Sequence, residues 1–275
     1  MSPLRDKVAI ISGSGRGIGR ALALKLAAAG ASVVVNDLDD APGDEVVDRI
    51  RASGGRAVTC IGNVTAPDFG DRFVKTAIEA FGGLDIIVNN AGYTLDGVIQ
   101  KQTDEQFQAM LDVHTVAPFR ILRAAAEPIR AFAKAEAAEG REVIRKVVNI
   151  SSMAGTHGNA GQINYSAAKA ALVGMTKTLS KEWGRLKVCV NCVAFGVIET
   201  RLTRPMDHPD AHIEIEGRRI PVGVPTAMLG AVRTAVPLGR AGTPEEAAGG
   251  AYLFCIPESD YISGQVVVVG GGLSV

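Results

Sequence analysis

The stretch KVAIISGSGRGIGRALALKLAAAGASVVVND, residues 7–37, sets two Val/Ile runs on either side of a glycine-studded turn and an alanine-rich run. The first run (7–12) and the second (32–37) are continuous in apolar residues rather than alternating. That is the pattern of strands covered on both faces. The middle, 19–30, fits a helix closed by Gly30, a residue that readily takes the left-handed conformation of a helix end. Strand, helix and strand in this order predict a parallel pair joined by a right-handed crossover.

The rhythm repeats outward. Further strands are expected at 56–62, 84–90, 145–151, 187–193 and 264–270, and a long helix at 106–138, with Gly140 as its cap. Alternating units of this kind predict an α/β fold, a single doubly wound parallel sheet of seven strands with helices on both faces. No repeat or linker divides the chain, so residues 1–275 are read as one domain. One segment departs from the pattern. Residues 200–237 are rich in proline and show no clear strand, and a loop this long in a compact domain is usually functional. It is read as the cover of a substrate site.

Composition narrows the function. Lys+Arg and Asp+Glu are both 29, giving a formal charge of zero, which favours neither nucleic acid nor an anionic membrane as partner. No signal-like segment and no bilayer-length apolar run is present, and a cytoplasmic location is expected. The pair Cys189 and Cys192 has redox spacing, but in LKVCVNCVAF it sits on an expected strand. Side chains three apart there point to opposite faces, so the cysteines are read as core residues. His208 and His212 have the spacing of zinc ligands on a helix, but Pro209 lies between them and no glutamate base accompanies them, so no metal site is expected.

The glycine turn carries chemistry. Gly13, Gly17 and Gly19 form G-x3-G-x-G, with Arg16 and Ile18 between them, at a helix N-terminus whose free N–H groups attract anions. Glycines let the backbone approach a pyrophosphate closely, which makes this a Rossmann-type dinucleotide loop. Asp37 ends the next strand, where a carboxylate accepts hydrogen bonds from an adenosine ribose and repels a 2′-phosphate. NAD is therefore favoured over NADP; Arg16, a basic residue in the loop, is the counter-argument.

Five motifs in order, namely GSGRGIG, NNAG (89–92), a serine, a tyrosine–lysine pair and SGQVVVVGGG, resemble the short-chain dehydrogenase/reductase family over roughly 5–272. Among its subgroups the chain looks closest to 3-oxoacyl-carrier-protein reductases and the related hydroxyacyl and hydroxysteroid dehydrogenases. The resemblance implies that Tyr165 is the general acid/base and that Lys169, one helical turn on, lowers its pKa and holds the nicotinamide ribose. Ser152, thirteen positions before Tyr165, matches the serine that binds the substrate oxygen, with Ser151 as the neighbouring alternative. Asn63 and Val64 match the segment beside the adenine, and Asn90, Ala91 and Gly92 the cofactor wall. Gly196, Ile198 and Thr200 match the segment at the nicotinamide carboxamide.

Two departures stand out. Phe195-Gly196 replaces the family's Pro-Gly, which would place an aromatic ring at the substrate or nicotinamide pocket. His114 stands where the family often has an asparagine that supports a proton relay; a buried histidine satisfied by backbone is the competing reading. The implied activity is an NAD(H)-dependent interconversion of a secondary alcohol and a ketone on a small-molecule or acyl-thioester substrate. An NADPH-dependent 3-oxoacyl-carrier-protein reductase is the alternative, and a cofactor-binding regulator without turnover is the reading of another class. Arg201, Arg204, Arg218 and Arg219 are placed to meet a phosphopantetheine or CoA phosphate. A homo-oligomer, tetramer or dimer, is implied through the helices at 106–138 and 162–183 and the last strand.

Overall fold

A computed structural model describes residues 2–203, 212–215, 218–223, 230 and 234–273. The strands are β1 Val8–Ile11, β2 Ser32–Val35, β3 Arg56–Thr59, β4 Ile86–Asn89, β5 Arg145–Ser152, β6 Val188–Phe195, β7 His212–Ile215, β8 Arg218–Pro221 and β9 Val266–Val269. The helices are α1 Gly17–Ala28, α2 Asp40–Ala52, α3 Phe69–Phe81, α4 Asp104–Leu111, α5 Ala117–Ala138, α6 Met153–His157, α7 Ile163–Trp183 and α8 Pro244–Tyr252.

Seven strands form one sheet in the order β3-β2-β1-β4-β5-β6-β9, every pairing parallel. All seven expected strands are present. The continuous Val/Ile runs are explained by burial on two sides: β1, β2, β4 and β6 are buried at every position. One face packs on α1, α2 and α8 through Leu22, Leu26, Val46, Ile50 and Ala247. The other packs on α3, α4, α5 and α7 through Phe69, Phe73, Met110, Ile121 and Trp183. From β1 the chain runs to β2 on one side, while β4 pairs on the other. A crevice opens at that reversal beyond the carboxyl ends of the strands, the usual place for a ligand in such sheets.

Two expectations need correction. The helix expected over 106–138 is two helices, α4 and α5, joined by a π-turn at Asp112–Val116. Pro118 has no N–H to give the His114 carbonyl, and the ladder widens so that the Ala117 N–H reaches Asp112 five residues back. The segment 200–237 does contain strands: β7 and β8 form an antiparallel hairpin, with Ile213 opposite Ile220. Each strand is four residues long with one or two isoleucines, too short a run to announce a strand in the sequence.

Candidate active site

The glycine turn crosses the carboxyl end of β1 and enters α1. Gly17 sits at φ 52°, a conformation that suits glycine. A Cβ at Gly19 would collide with the Gly13 carbonyl oxygen and stand 2.6 Å from Asn90 Nδ2, so only glycine lets the helix pack this closely. Four polar residues frame the turn. Asn36 Oδ1 accepts from the Gly13 N–H (2.9 Å), and its Nδ2 donates to the carbonyls of Cys60 (3.0 Å) and Gly62 (3.1 Å). Ser14 Oγ accepts from the Asn36 N–H (3.0 Å) and donates to the Ile11 carbonyl (2.7 Å). Ser12 Oγ accepts from the N–H groups of Asn90 (3.0 Å) and Ala91 (3.1 Å). Asn90 Nδ2 donates to the carbonyls of Ser12 and Gly13, both at 2.9 Å.

Helix α1 has no side-chain N-cap and no acid in its first turn. Its leading N–H groups, edged by glycines, fit an anion such as a dinucleotide pyrophosphate. Asp37 follows β2 at the same cavity wall. Burial raises its pKa, opposed in part by hydrogen bonds from the Asp39 and Leu38 backbone and by the charge of Arg16. The Arg16 guanidinium is itself held by Asp39 at 2.9 Å. Asn63 turns its side-chain oxygen to the N–H and hydroxyl of Thr65, both at 2.9 Å, and Val64 is largely buried beside it.

At the other end of the cavity, β5 delivers Ser152 and α7 delivers Tyr165 and Lys169. The Ser152 hydroxyl donates to the Phe195 carbonyl (3.5 Å) and lines the cavity together with the Tyr165 phenol. Ser152 Oγ also accepts from the Ala154 N–H (3.2 Å) as the cap of α6. Ser151 is turned away: its Oγ donates to the Lys169 carbonyl (2.8 Å) and is buried. Lys169 Nζ lies 5.7 Å from the centre of the Tyr165 ring and donates to the Ile150 carbonyl (2.6 Å).

Burial dominates the protonation of both. It pushes the Tyr165 phenol up to about 12, with the Ser152 hydroxyl opposing and the charge of Asp96 adding to the rise. It brings the Lys169 amine down to about 8. The lowered tyrosine pKa implied by the family likeness is thus not a property of the protein alone. An amine whose own charge is disfavoured by desolvation has less field to lend.

His114 sits in the π-turn, 2 % exposed, its ring edge-on to that of Tyr165 with centroids 5.0 Å apart. Its Nε2 meets the Tyr93 carbonyl at 2.8 Å. A carbonyl only accepts, so Nε2 carries the proton and Nδ1 is a bare acceptor. Nδ1 is buried without a partner. Burial and the Lys169 charge hold the imidazole pKa well below its usual value, which keeps the ring neutral. Gly92 makes room for it, since a Cβ there would collide with the ring.

One cavity of about 1590 Å³ joins the two ends, lined by Gly13, Asp37, Asn90, Ser152, Tyr165 and Lys169 among others. Ile198 and Thr200 border it, as do His212, Ile213 and Ile220 of the hairpin. Phe195 also borders it but is only 5 % exposed and packs in the core with Val193 and Ile198. It supports the wall more than it shapes the pocket. Gly196 is pressed against Gly270, with an added Cβ 2.8 Å from its Cα. Among the described residues, no group of three or more His, Cys, Asp or Glu could hold a metal. His212 lies on β7, and Arg204 and His208 lie outside the described residues. The four cysteines are free and buried. No helix among the described residues is long and apolar enough to cross a membrane.

The short chain dehydrogenase family model matches residues 7–211. The chain belongs to that family. It is an NAD(P)-dependent oxidoreductase acting on CH–OH groups. The chain is similar to a 3-oxoacyl-[acyl-carrier-protein] reductase of Synechocystis sp., 36% identical with 99% of each chain covered. A protein of the same activity from Vibrio cholerae is 34% identical over 98% of each. A (2S)-[(R)-hydroxy(phenyl)methyl]succinyl-CoA dehydrogenase subunit of Thauera aromatica is 34% identical, covering 99% of this chain and 98% of its own.

The sequence reading missed the frame of the glycine turn, Ser12, Ser14 and Asn36. Asn36 has a signal in VVVND, a polar residue ending a buried run just before the acid. It also missed Asp96 and Gln162, joined across the cavity rim, which no local pattern connects.

Proposed function

We propose that the protein interconverts a 3-oxoacyl thioester and its 3-hydroxyacyl counterpart, with NAD(H) as preferred coenzyme. The observation that carries this reading is the convergence of Ser152, Tyr165 and buried Lys169 on one cavity with an uncapped, glycine-edged helix N-terminus. The substrate class draws its support from relatives named for acyl groups on carrier protein and on CoA, both of which are thioesters. This puts 3-oxoacyl reduction ahead of the hydroxysteroid reading.

The coenzyme supplies or takes the hydride when bound. In reduction, Ser152 holds the substrate oxygen and the Tyr165 phenol gives it a proton as negative charge develops there. A phenol held at about 12 stays in its acid form across neutral pH. In oxidation that phenol must first lose its proton, which the Lys169 ammonium and the positive ring of oxidised coenzyme favour. His114 Nδ1, a buried acceptor, can hold a water or hydroxyl that carries the proton onward. Ile213 and Ile220 of the hairpin give the acyl chain an apolar wall, and much of the 200–237 segment expected to cover the substrate lies outside the described residues.

Asp37 carries the coenzyme preference. With Asp39 it sets two carboxylates where a 2′-phosphate would lie, and Arg16 is already paired with Asp39. Arg16 and the likeness to 3-oxoacyl-[acyl-carrier-protein] reductases favour the second reading, the NADPH-dependent reductase. Exposed Val267 and Val268 on the edge strand β9 and Phe119 on α5 support assembly of copies into a dimer or tetramer. The test is steady-state reduction of acetoacetyl-CoA with each coenzyme, in wild type and Asp37→Ala. Preference for NADH that shrinks at least tenfold in the variant supports the reading. NADPH preference untouched by the variant contradicts it and moves the phosphate to Arg16.

A further inference from the structure

The proton chemistry leaves one carboxylate of the cavity unused. Asp96 lies in the loop after β4 and lines the same cavity as Tyr165. Gln162 Nε2 donates to both its oxygens at 3.0 Å. Gln162 is also the residue before α7, three positions ahead of Tyr165. The two loops are tied together beside this contact. The Gly97 N–H donates to the Gly161 carbonyl (2.7 Å), Gly97 and Gln162 form a parallel bridge, and Asn164 Nδ2 donates to the Leu95 carbonyl (2.9 Å). Gln162 thus holds the Asp96 carboxylate at the cavity, on a loop pinned to the start of α7.

No cation among the described residues forms an ion pair with Asp96. It is exposed and lines the cavity wall. An occupant would displace its water and strengthen its field. Its clamp Gln162 stands three residues ahead of Tyr165 at the start of α7, so the carboxylate and the reacting phenol share one stretch of cavity wall. A 3-oxo acid places its C1 carboxyl two bonds from the carbon that is reduced. Esterified at C1, the substrate is neutral there; as the free acid it brings a second negative charge next to the first.

We propose that Asp96, clamped by Gln162, is a charge filter that admits 3-oxoacyl groups esterified at C1 and rejects the free acids. The proposal rests on the reaction proposed above and names what that site selects against.

The experiment measures kcat/KM for acetoacetate, its methyl ester and its CoA thioester with the preferred coenzyme, in wild type, Asp96→Asn and Asp96→Glu. Wild type should prefer the methyl ester to the free acid by about tenfold or more, a modest effect for two like charges in a partly desolvated cavity. Asp96→Asn should narrow that ratio to about threefold by raising the rate with the acid, and Asp96→Glu should keep it. Coenzyme binding reports whether each variant is folded, and Asp96→Ser replaces Asp96→Asn if the latter is not. A ratio unchanged in Asp96→Asn overturns the filter, as does one that collapses equally in Asp96→Glu. So does a wild type that takes the acid as readily as the ester. Turnover of the methyl ester with its ratio to the acid intact, but none of the thioester, sinks the substrate class and leaves the filter standing. No turnover of any of the three overturns both.

Discussion

The two ends of the cavity treat their polar groups in opposite ways. At the glycine end, Ser12, Ser14, Asn36 and Asn90 are all hydrogen-bonded, mostly to backbone, and together fix one loop shape. At the tyrosine end, His114 Nδ1 is buried without a partner, and Lys169 is 4 % exposed with no carboxylate paired to it among the described residues. A satisfied buried network contributes stability, and an unsatisfied buried group costs it. The first end reads as a rigid mould. The second keeps groups in unfavourable states that a bound substrate and coenzyme can relieve.

The comparison is sharpened most by Lys169→Met. The substitution keeps the stem and removes the charge, so turnover should fall by about 10²–10⁴-fold. The melting temperature should hold or rise at neutral pH, because a buried ammonium is gone. A matching loss of stability would break the contrast. At the other end, Asn36→Ala deletes four side-chain hydrogen bonds and leaves buried backbone groups unpaired. It should lower stability by about 2–3 kcal/mol in denaturant unfolding and weaken coenzyme binding. An unchanged unfolding midpoint would show that the frame carries no weight.

Proton chemistry gives a smaller, signed effect. Lys169 has a folded-state value of about 8, below the ordinary 10.5, so its charge fades as pH rises through about 8. The kcat/KM for reduction should be level below that pH and fall above it, and Lys169→Met should remove the falling limb. Between about 8 and 10.5 the unfolded chain holds this proton more than the folded one. Lys169 therefore makes folded stability rise with pH across that window, and Met at this position should flatten the slope. Smallest in stability is His114→Phe. Losing the bond to Tyr93 while removing an orphan nitrogen should leave the unfolding free energy within about 1 kcal/mol. Turnover should drop about tenfold or more if a proton passes that way.

The difference between the two ends also explains what the sequence can tell. The glycine loop is readable because its physics is local: glycines, a helix start and an acid after the next strand lie within 7–37. The Tyr165–Lys169 face is readable from i, i+4 spacing, and the choice of Ser152 over Ser151 from the match of its distance to Tyr165 with the family's spacing. The rest depends on contacts across long sequence separations. Whether Ser151 pairs with the Lys169 carbonyl, or Asp96 with Gln162, is decided by how β4, β5 and α7 meet. The π-turn is hidden because helical periodicity runs through Asp112–Val116, and only the missing N–H of Pro118 hints at a break. The rise of the Tyr165 pKa escapes the sequence for a related reason. Spacing reveals a neighbouring charge but not the burial that outweighs it.

The central claim is that one end of the cavity binds coenzyme while the other moves the proton. It is tested most directly by Tyr165→Phe, with NADH binding followed by fluorescence titration and acetoacetyl-CoA reduction followed by coenzyme oxidation. The account predicts a dissociation constant within about threefold of wild type and turnover lower by about 10³-fold or more. Turnover that survives the loss of the hydroxyl would contradict the claim, and so would loss of binding together with activity.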